Sequence, residues 1–223
     1  MLAQLIAPLL ALPDVDPAFA AARTSVDTAL RHKALRRSGG PLAAEIGLRS
    51  AVASAALEGH AFDVAEVRAG TVTDPVVQGA LRVSAALDGL APRWTRAPRQ
   101  VLARLHLLAA RGSVTEEELG RPAPASADAG RLDTLCALIA ADTPSVPALL
   151  RAAVVHGELM ALRPFAGPSG VVARAAARLT LIADGLDPRG LIAPELGHRE
   201  REPEYVGRST RSPPARPTAC GPG

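Results

Sequence analysis

Apolar residues recur along this chain with a spacing close to 3.6, and the stretches that carry them are separated by short runs of Gly, Pro and charged residues. That spacing predicts helices. After an apolar start over 2–11, Asp16-Pro17 supplies an acid followed by proline, a common helix opening. Phe19, Ala22, Val26 and Leu30 then share one face, and Gly39-Gly40 stops the helix. Pro41 opens the next helix, LAAEIGLRSAVASAALE, which Gly59 ends. Asp63 begins a short segment, and Asp74-Pro75 starts a helix over 75–90. A connector containing Trp94 leads to an amphipathic helix over 99–111, with Val101, Leu102, Leu105 and Leu108 on its buried side and His106 beside them as a structural residue.

The second half continues the pattern. Ser113–Leu119 reads as one capped turn, with Thr115 ahead of three glutamates. Gly120–Gly130 is a loop of small residues and prolines. Helices are expected over 131–141, over 147–162 and, after a break at Pro164, from about Val171 to Gly185. Residues 188–198 form a turn-rich segment. From Arg199 onward the text is polar, rich in Pro, Arg and Gly, and without period, so it reads as disordered. The expected fold class is all-α, divided into an N-terminal helical region (1–95), a core (96–198) and a tail (199–223).

Composition supports this class. Hydrophobic residues make up 48% of the 223 residues and aromatics 2%, so Ala, Leu and Val must fill the interior, which suits close-packed helices better than a sheet. The net charge of +3 gives no basic run inside the folded part, so no nucleic-acid partner is expected. Cys136 and Cys220 form no disulfide framework, and the five histidines show no metal-ligand spacing, so no metal site is read from spacing. The start, MLAQLIAPLLALPDV, lacks a positive leader and is short of a span, so neither signal peptide nor membrane anchor is expected and the compartment reads as cytoplasm.

Candidate chemistry gathers between His156 and Arg178. A helix runs to Pro164, and a small-residue loop, Ala166-Gly167-Pro168-Ser169-Gly170, opens the next helix. Backbone N–H groups at a helix start, with the dipole behind them, make an anion site, and Arg174 lies one turn in. His156 sits two turns before Arg163, roughly 10 Å along the axis, and is expected to pack or hydrogen-bond. Separately, Glu58 stands at a helix end, where the dipole disfavours a carboxylate, with Ser54 one turn earlier.

These residues resemble the Fic (Fido) family. Its signature, H-P-F-x-[D/E]-G-N-G-R-x-x-R, aligns with Arg163 to Arg174, and Pro164, Phe165, Gly170 and Arg174 match. Ser54-Ala55-Ala56-Leu57-Glu58-Gly59 looks like the family's inhibitory motif, [S/T]-x-x-x-E-[G/N], in the class that places the inhibitory helix before the core. The resemblance covers 15 to about 198 and is closest to an actinobacterial branch with a degenerate loop. It implies a Fic-type helical bundle with an N-terminal inhibitory helix, Glu58 pairing with Arg174, and a flap near 120–130 that holds the target segment. It also implies transfer of AMP from ATP to a protein hydroxyl, with a histidine as base, an acid holding magnesium, and a protein target or regulatory partner.

The departures fall on that chemistry. Arg163 holds the base position and stays protonated with no acceptor. Gly167 holds the acid position and offers magnesium no oxygen. Pro168 and Ser169 replace the first glycine and the asparagine, and Val171 the first arginine. Pro168 removes one backbone donor, while Ser169, Gly170 and Arg174 are expected to bind a nucleotide phosphate. Three functions stay open: a degenerate AMP transferase that still binds nucleotide, an active transferase with a displaced base, and a non-catalytic interaction module.

Overall fold

Alanine-rich helices can approach one another closely, and here they wrap one of their number. The computed structural model of the chain describes residue 6 and residues 8–37, 39–122, 129–141 and 146–209. In order run α1 (Val15–Arg31), α2 (Lys33–Arg37), α3 (Gly39–Ala56), α4 (Val64–Arg68), α5 (Pro75–Trp94), α6 (Pro98–Ala110), α7 (Ala129–Ala140), α8 (Ala148–Leu162), α9 (Ser169–Ala183), α10 (Pro194–Glu200) and α11 (Glu202–Ser209). Among the described residues there is no strand, only an isolated bridge between Arg111 and Val114. The fold is all-α.

Helix α9 is the centre. Eleven of its 15 residues are buried, and it packs against α8, α5, α6, α3 and α10. Ala173, Ala175 and Ala176 permit this, because the distance between helix axes is set by the side chains at the contact. One hydrophobic cluster holds Val52, Val77, Leu105, Leu159 and Leu179, so the helices on either side of residue 95 share a core. The Trp94 ring is fully buried and donates its Nε1–H to Thr180 Oγ1 at 3.1 Å, which ties the end of α5 to α9. Asp74 caps α5 by accepting from the Val76 and Val77 amides.

Gly79 lets α5 cross α6. A Cβ there would meet the Ala109 carbonyl oxygen at 2.0 Å. Gly79→Ala should therefore cost about 1–3 kcal/mol through overpacking, although alanine is the better helix former by about 1 kcal/mol. The urea midpoint, read from the fluorescence of the single tryptophan, checks this; an unchanged or raised midpoint would refute the close approach.

Several elements differ from the sequence reading. Helix α5 continues through Pro92 to Trp94 instead of ending at 90, because the buried indole holds the last turn in place. Helix α1 begins at Val15, with Asp14 as its cap in a left-handed conformation. The tail expected to be disordered from Arg199 is helical over most of 199–209: α10 runs to Glu200 and α11 to Ser209. It is held by side chains that reach the body of the fold: buried Glu195 on α10 and half-buried Tyr205 on α11, which bonds Arg174. Residues 210–223, with Cys220, and residues 123–128 of the expected flap lie outside the described residues. No described helix is long and apolar enough to cross a membrane.

Candidate functional site

The loop between α8 and α9 is built from conformations that its residues enforce. Arg163 caps α8 in the left-handed region (φ 42°, ψ 57°), its N–H reaching Leu159 O at 3.0 Å. A non-glycine residue there is strained by about 1–2 kcal/mol, and Pro164 prevents the helix from continuing. The Arg163 side chain is exposed. Phe165 is buried and stacks on His106, with centroids 4.7 Å apart. Gly167 has φ 74°, and a Cβ on it would meet Val114 Cγ1 at 2.8 Å.

Ser169 is not the outward-facing donor that the sequence suggests. Its amide donates to Gly167 O at 2.7 Å and its hydroxyl to Phe165 O at 2.9 Å. Both groups therefore serve the loop itself. The tight turn behind Pro168 causes this, since it brings the Gly167 carbonyl back onto the amide two residues later. At the helix start this leaves Gly170 and the side chains that reach it.

His106 pins the loop from below. The Gly120 amide donates to its Nδ1 at 3.0 Å, so the ring proton sits on Nε2, which donates to Ala166 O at 2.8 Å. Burial holds this imidazole below its usual pKa, against the opposing pull of the Ala166 carbonyl and Glu118. The neutral tautomer is the one both bonds require. His106 thus links the signature-like loop to the turn that precedes residues 123–128.

Helix α3 delivers Ser54 and Glu58. Gly59, at φ 91°, lets the chain turn back: the His60 amide reaches Ala55 O and the Gly59 amide Ala56 O. This Schellman closure requires a left-handed residue, which glycine supplies. Glu58 is left projecting from the corner towards α9. Arg174, 2% exposed, donates from Nε to Ser54 Oγ (2.9 Å), from Nη2 to Ser54 O (2.8 Å) and to Glu58 Oε1 (2.8 Å), and from Nη1 to Tyr205 Oη (3.1 Å).

Glu58 does more than pair. A Cβ on Gly170 would lie 2.0 Å from Glu58 Oε1 and 2.8 Å from Arg174 Nη1. The carboxylate therefore rests on the Cα of the second residue of α9, at the positive end of the helix. Only glycine leaves room for it. Glu58, Gly170 and Arg174 meet within one small volume, with Ser54 behind them.

Comparison with solved structures decides what this arrangement belongs to. A Fic family protein from Desulfovibrio desulfuricans superimposes with a TM-score of 0.67 at 21% identity, over 89% of this chain and 66% of that one. The chain has the Fic fold. It spans just under two thirds of that protein's length. No protein-family model and no curated protein matches the sequence. The 163–168 loop and α9 carry the signature-like residues, and α3 brings Glu58 to Arg174.

Two implied parts of the chemistry do not fit this Fic-fold site. A magnesium ion held by a loop carboxylate has no ligand at Gly167, where a side chain would collide with Val114. Among the described residues no group of three His, Cys, Asp or Glu could hold a metal ion. A histidine base is also missing at the loop: His106 has both ring nitrogens committed, and His156 Nε2 faces Tyr205 Oη at 3.0 Å.

Sequence reasoning missed three contributors. Tyr205, on α11, is the third partner of Arg174, and as the chain's single tyrosine in a text poor in aromatics it was open to notice. Glu195 on α10 is buried against Ser50, whose hydroxyl donates at 3.1 Å, and 3.9 Å from Arg178. Burial raises the pKa of this carboxyl, against the pull of Arg178. Val114 sets the limit on Gly167. Neither Glu195 nor Val114 carries a sequence signal, because each matters only through a neighbour far along the chain.

Proposed function

We propose that this protein binds a phosphate-bearing nucleotide, with ATP as the first candidate, at the start of α9, that Glu58 gates the site, and that it lacks efficient AMP transfer. The observation that carries the reading is the seat of the Glu58 carboxylate. It sits over Gly170 and on Arg174 at 2.8 Å, where the helix end and the guanidinium would both favour a phosphate. A site that attracts an internal anion attracts an external one once that anion is removed. Arg174 grips the phosphate, Gly170 permits close approach, and Ser54 keeps the guanidinium in plane.

Transfer is a separate matter. Arg163 cannot take a hydroxyl proton. Loss of a general base alone costs ~10²–10⁴ in rate, and among the described residues no group of three His, Cys, Asp or Glu could hold a metal ion. A protein hydroxyl remains the target class that the Fic resemblance implies, reached only if binding is followed by chemistry.

Calorimetry with ATP tests the binding. Glu58→Gly should bind at least tenfold more tightly than the wild type, because a competing carboxylate and its pairing with Arg174 are gone; tenfold corresponds to about 1.4 kcal/mol. Absence of binding by either protein, with the fold intact by circular dichroism, would end the nucleotide reading.

A further inference from the structure

The guanidinium that anchors the gate is also held from the C-terminal side. Tyr205 Oη accepts from Arg174 Nη1, the nitrogen that faces Gly170. The phenol ring lies in a cluster with two imidazoles: His198 at 4.5 Å and 26°, and His156 at 5.6 Å and 16°, with the imidazoles 5.3 Å apart. Arg174 Cζ stands 6.0 Å from the phenol centroid. The three rings come from α8, α10 and α11 and border an open cleft of about 790 Å³. We propose that α10 and α11 form a strap over Arg174, fastened by Tyr205 and released by acid through His156 and His198. The inference deepens the gate reading: Tyr205 is a positioning residue for Arg174.

The hydrogen-bond roles explain the sensitivity. Tyr205 Oη accepts from Arg174, and its own proton has two acceptors within reach: His156 Nε2 at 3.0 Å, when the imidazole is the Nδ1–H tautomer, and Met160 Sδ at 3.9 Å. Protonation of His156 removes the nitrogen acceptor and leaves only the sulfur. A charged imidazole would also face Arg174 and the second ring. Burial, then His198, then Arg174 push His156 down to about 3, while burial and Arg174 lower His198. Two acids face the cluster, one from α3 and one from α10 itself. Glu58 on α3 is committed to Arg174, and Glu195 on α10 is paired with Ser50 and Arg178. At the rim lie Glu200, Arg201 and Glu204, of mixed sign.

The sign follows from linkage. In the undocked strap the histidines titrate near their ordinary value of about 6.5, so protons bind the undocked form better. Docking is fully favoured above about pH 6.5 and lost as pH falls below it, by up to about tenfold in the docked-to-undocked ratio per pH unit for each histidine.

Because Tyr205 is the single tyrosine, ring-labelled tyrosine gives one NMR probe of the full chain. Its signal should move from the docked towards the undocked position as pH falls below about 6.5, while Trp94 fluorescence stays unchanged. His198→Gln should roughly halve the steepness, and His156→Gln with His198→Gln should abolish the transition. A tyrosine signal that does not respond to pH, a transition unchanged in both variants, or one that coincides with the Trp94 transition overturns the strap. None of these readouts needs ATP to bind, so failure of the nucleotide reading leaves this test intact.

Discussion

Arg174→Met should lower the free energy of unfolding by about 3 kcal/mol, the low end for removing one member of a buried ion pair. The guanidinium is 2% exposed and serves Ser54 twice, Glu58 and Tyr205. Methionine fills much of the same volume but donates nothing. The Ser54 carbonyl and hydroxyl then lose their partner inside the core, at about 1–3 kcal/mol for unsatisfied buried groups. Glu58 suffers less, because its side chain is 21% exposed and water can reach it. Glu58→Gln should accordingly cost only about 1 kcal/mol, since Oε1 can still accept from Nη2. Urea denaturation followed by Trp94 measures both, with equal slopes required for the comparison. A loss below about 1 kcal/mol for Arg174→Met would show that the pair contributes little to the fold.

Gly167→Asp, the change that puts a carboxylate back at the acid position, should destabilise by about 3 kcal/mol. Two costs add. The residue sits at φ 74°, where an aspartate is strained by about 1 kcal/mol, less than most side chains. Its Cβ meets Val114 Cγ1 at 2.8 Å, an overpacking cost of about 1–3 kcal/mol. Val114→Ala removes the colliding methyls and should return at least 1 kcal/mol of the loss in the double variant, a coupling that a double-mutant cycle isolates. Additive effects of the two changes would refute the collision. The result bears on function, because it says that the loop conformation depends on having glycine at 167. Arg163→His alone then restores neither the ligand nor the loop shape, and such a variant should show no measurable gain in nucleotide transfer.

The periodic helices were legible because their signals are local. Asp74-Pro75, Gly59 and Pro164 each fix a boundary through the chemistry of one or two residues, and the structure puts helix ends at or near all three. The contact between Glu58 and Arg174 was expected from two short motifs and from nothing local; the structure holds the two groups 2.8 Å apart. Ser169 went the other way. Its type suggests a donor for a ligand, but a turn of the backbone uses both of its groups. Tyr205 lay in text without period and Glu195 in a turn-rich segment, where hydropathy patterning has nothing to report.

The sequence by itself determined an all-α chain, the boundaries of most of its helices up to residue 183, and a loop with Arg163 and Gly167 where the Fic resemblance implies a base and a metal ligand. The helices need only residue type and spacing; the loop reading needs the resemblance as well, together with the fact that an arginine cannot take a proton and a glycine side chain cannot ligate. The tertiary structure alone decided that the Glu58 carboxylate rests over Gly170, that Ser169 is spent on the loop, that Val114 forbids a side chain at Gly167, and that α11 returns to grip Arg174. Each is a meeting of atoms far apart along the chain, or a backbone torsion, and such distances follow from how helices pack around α9 and not from the order of letters.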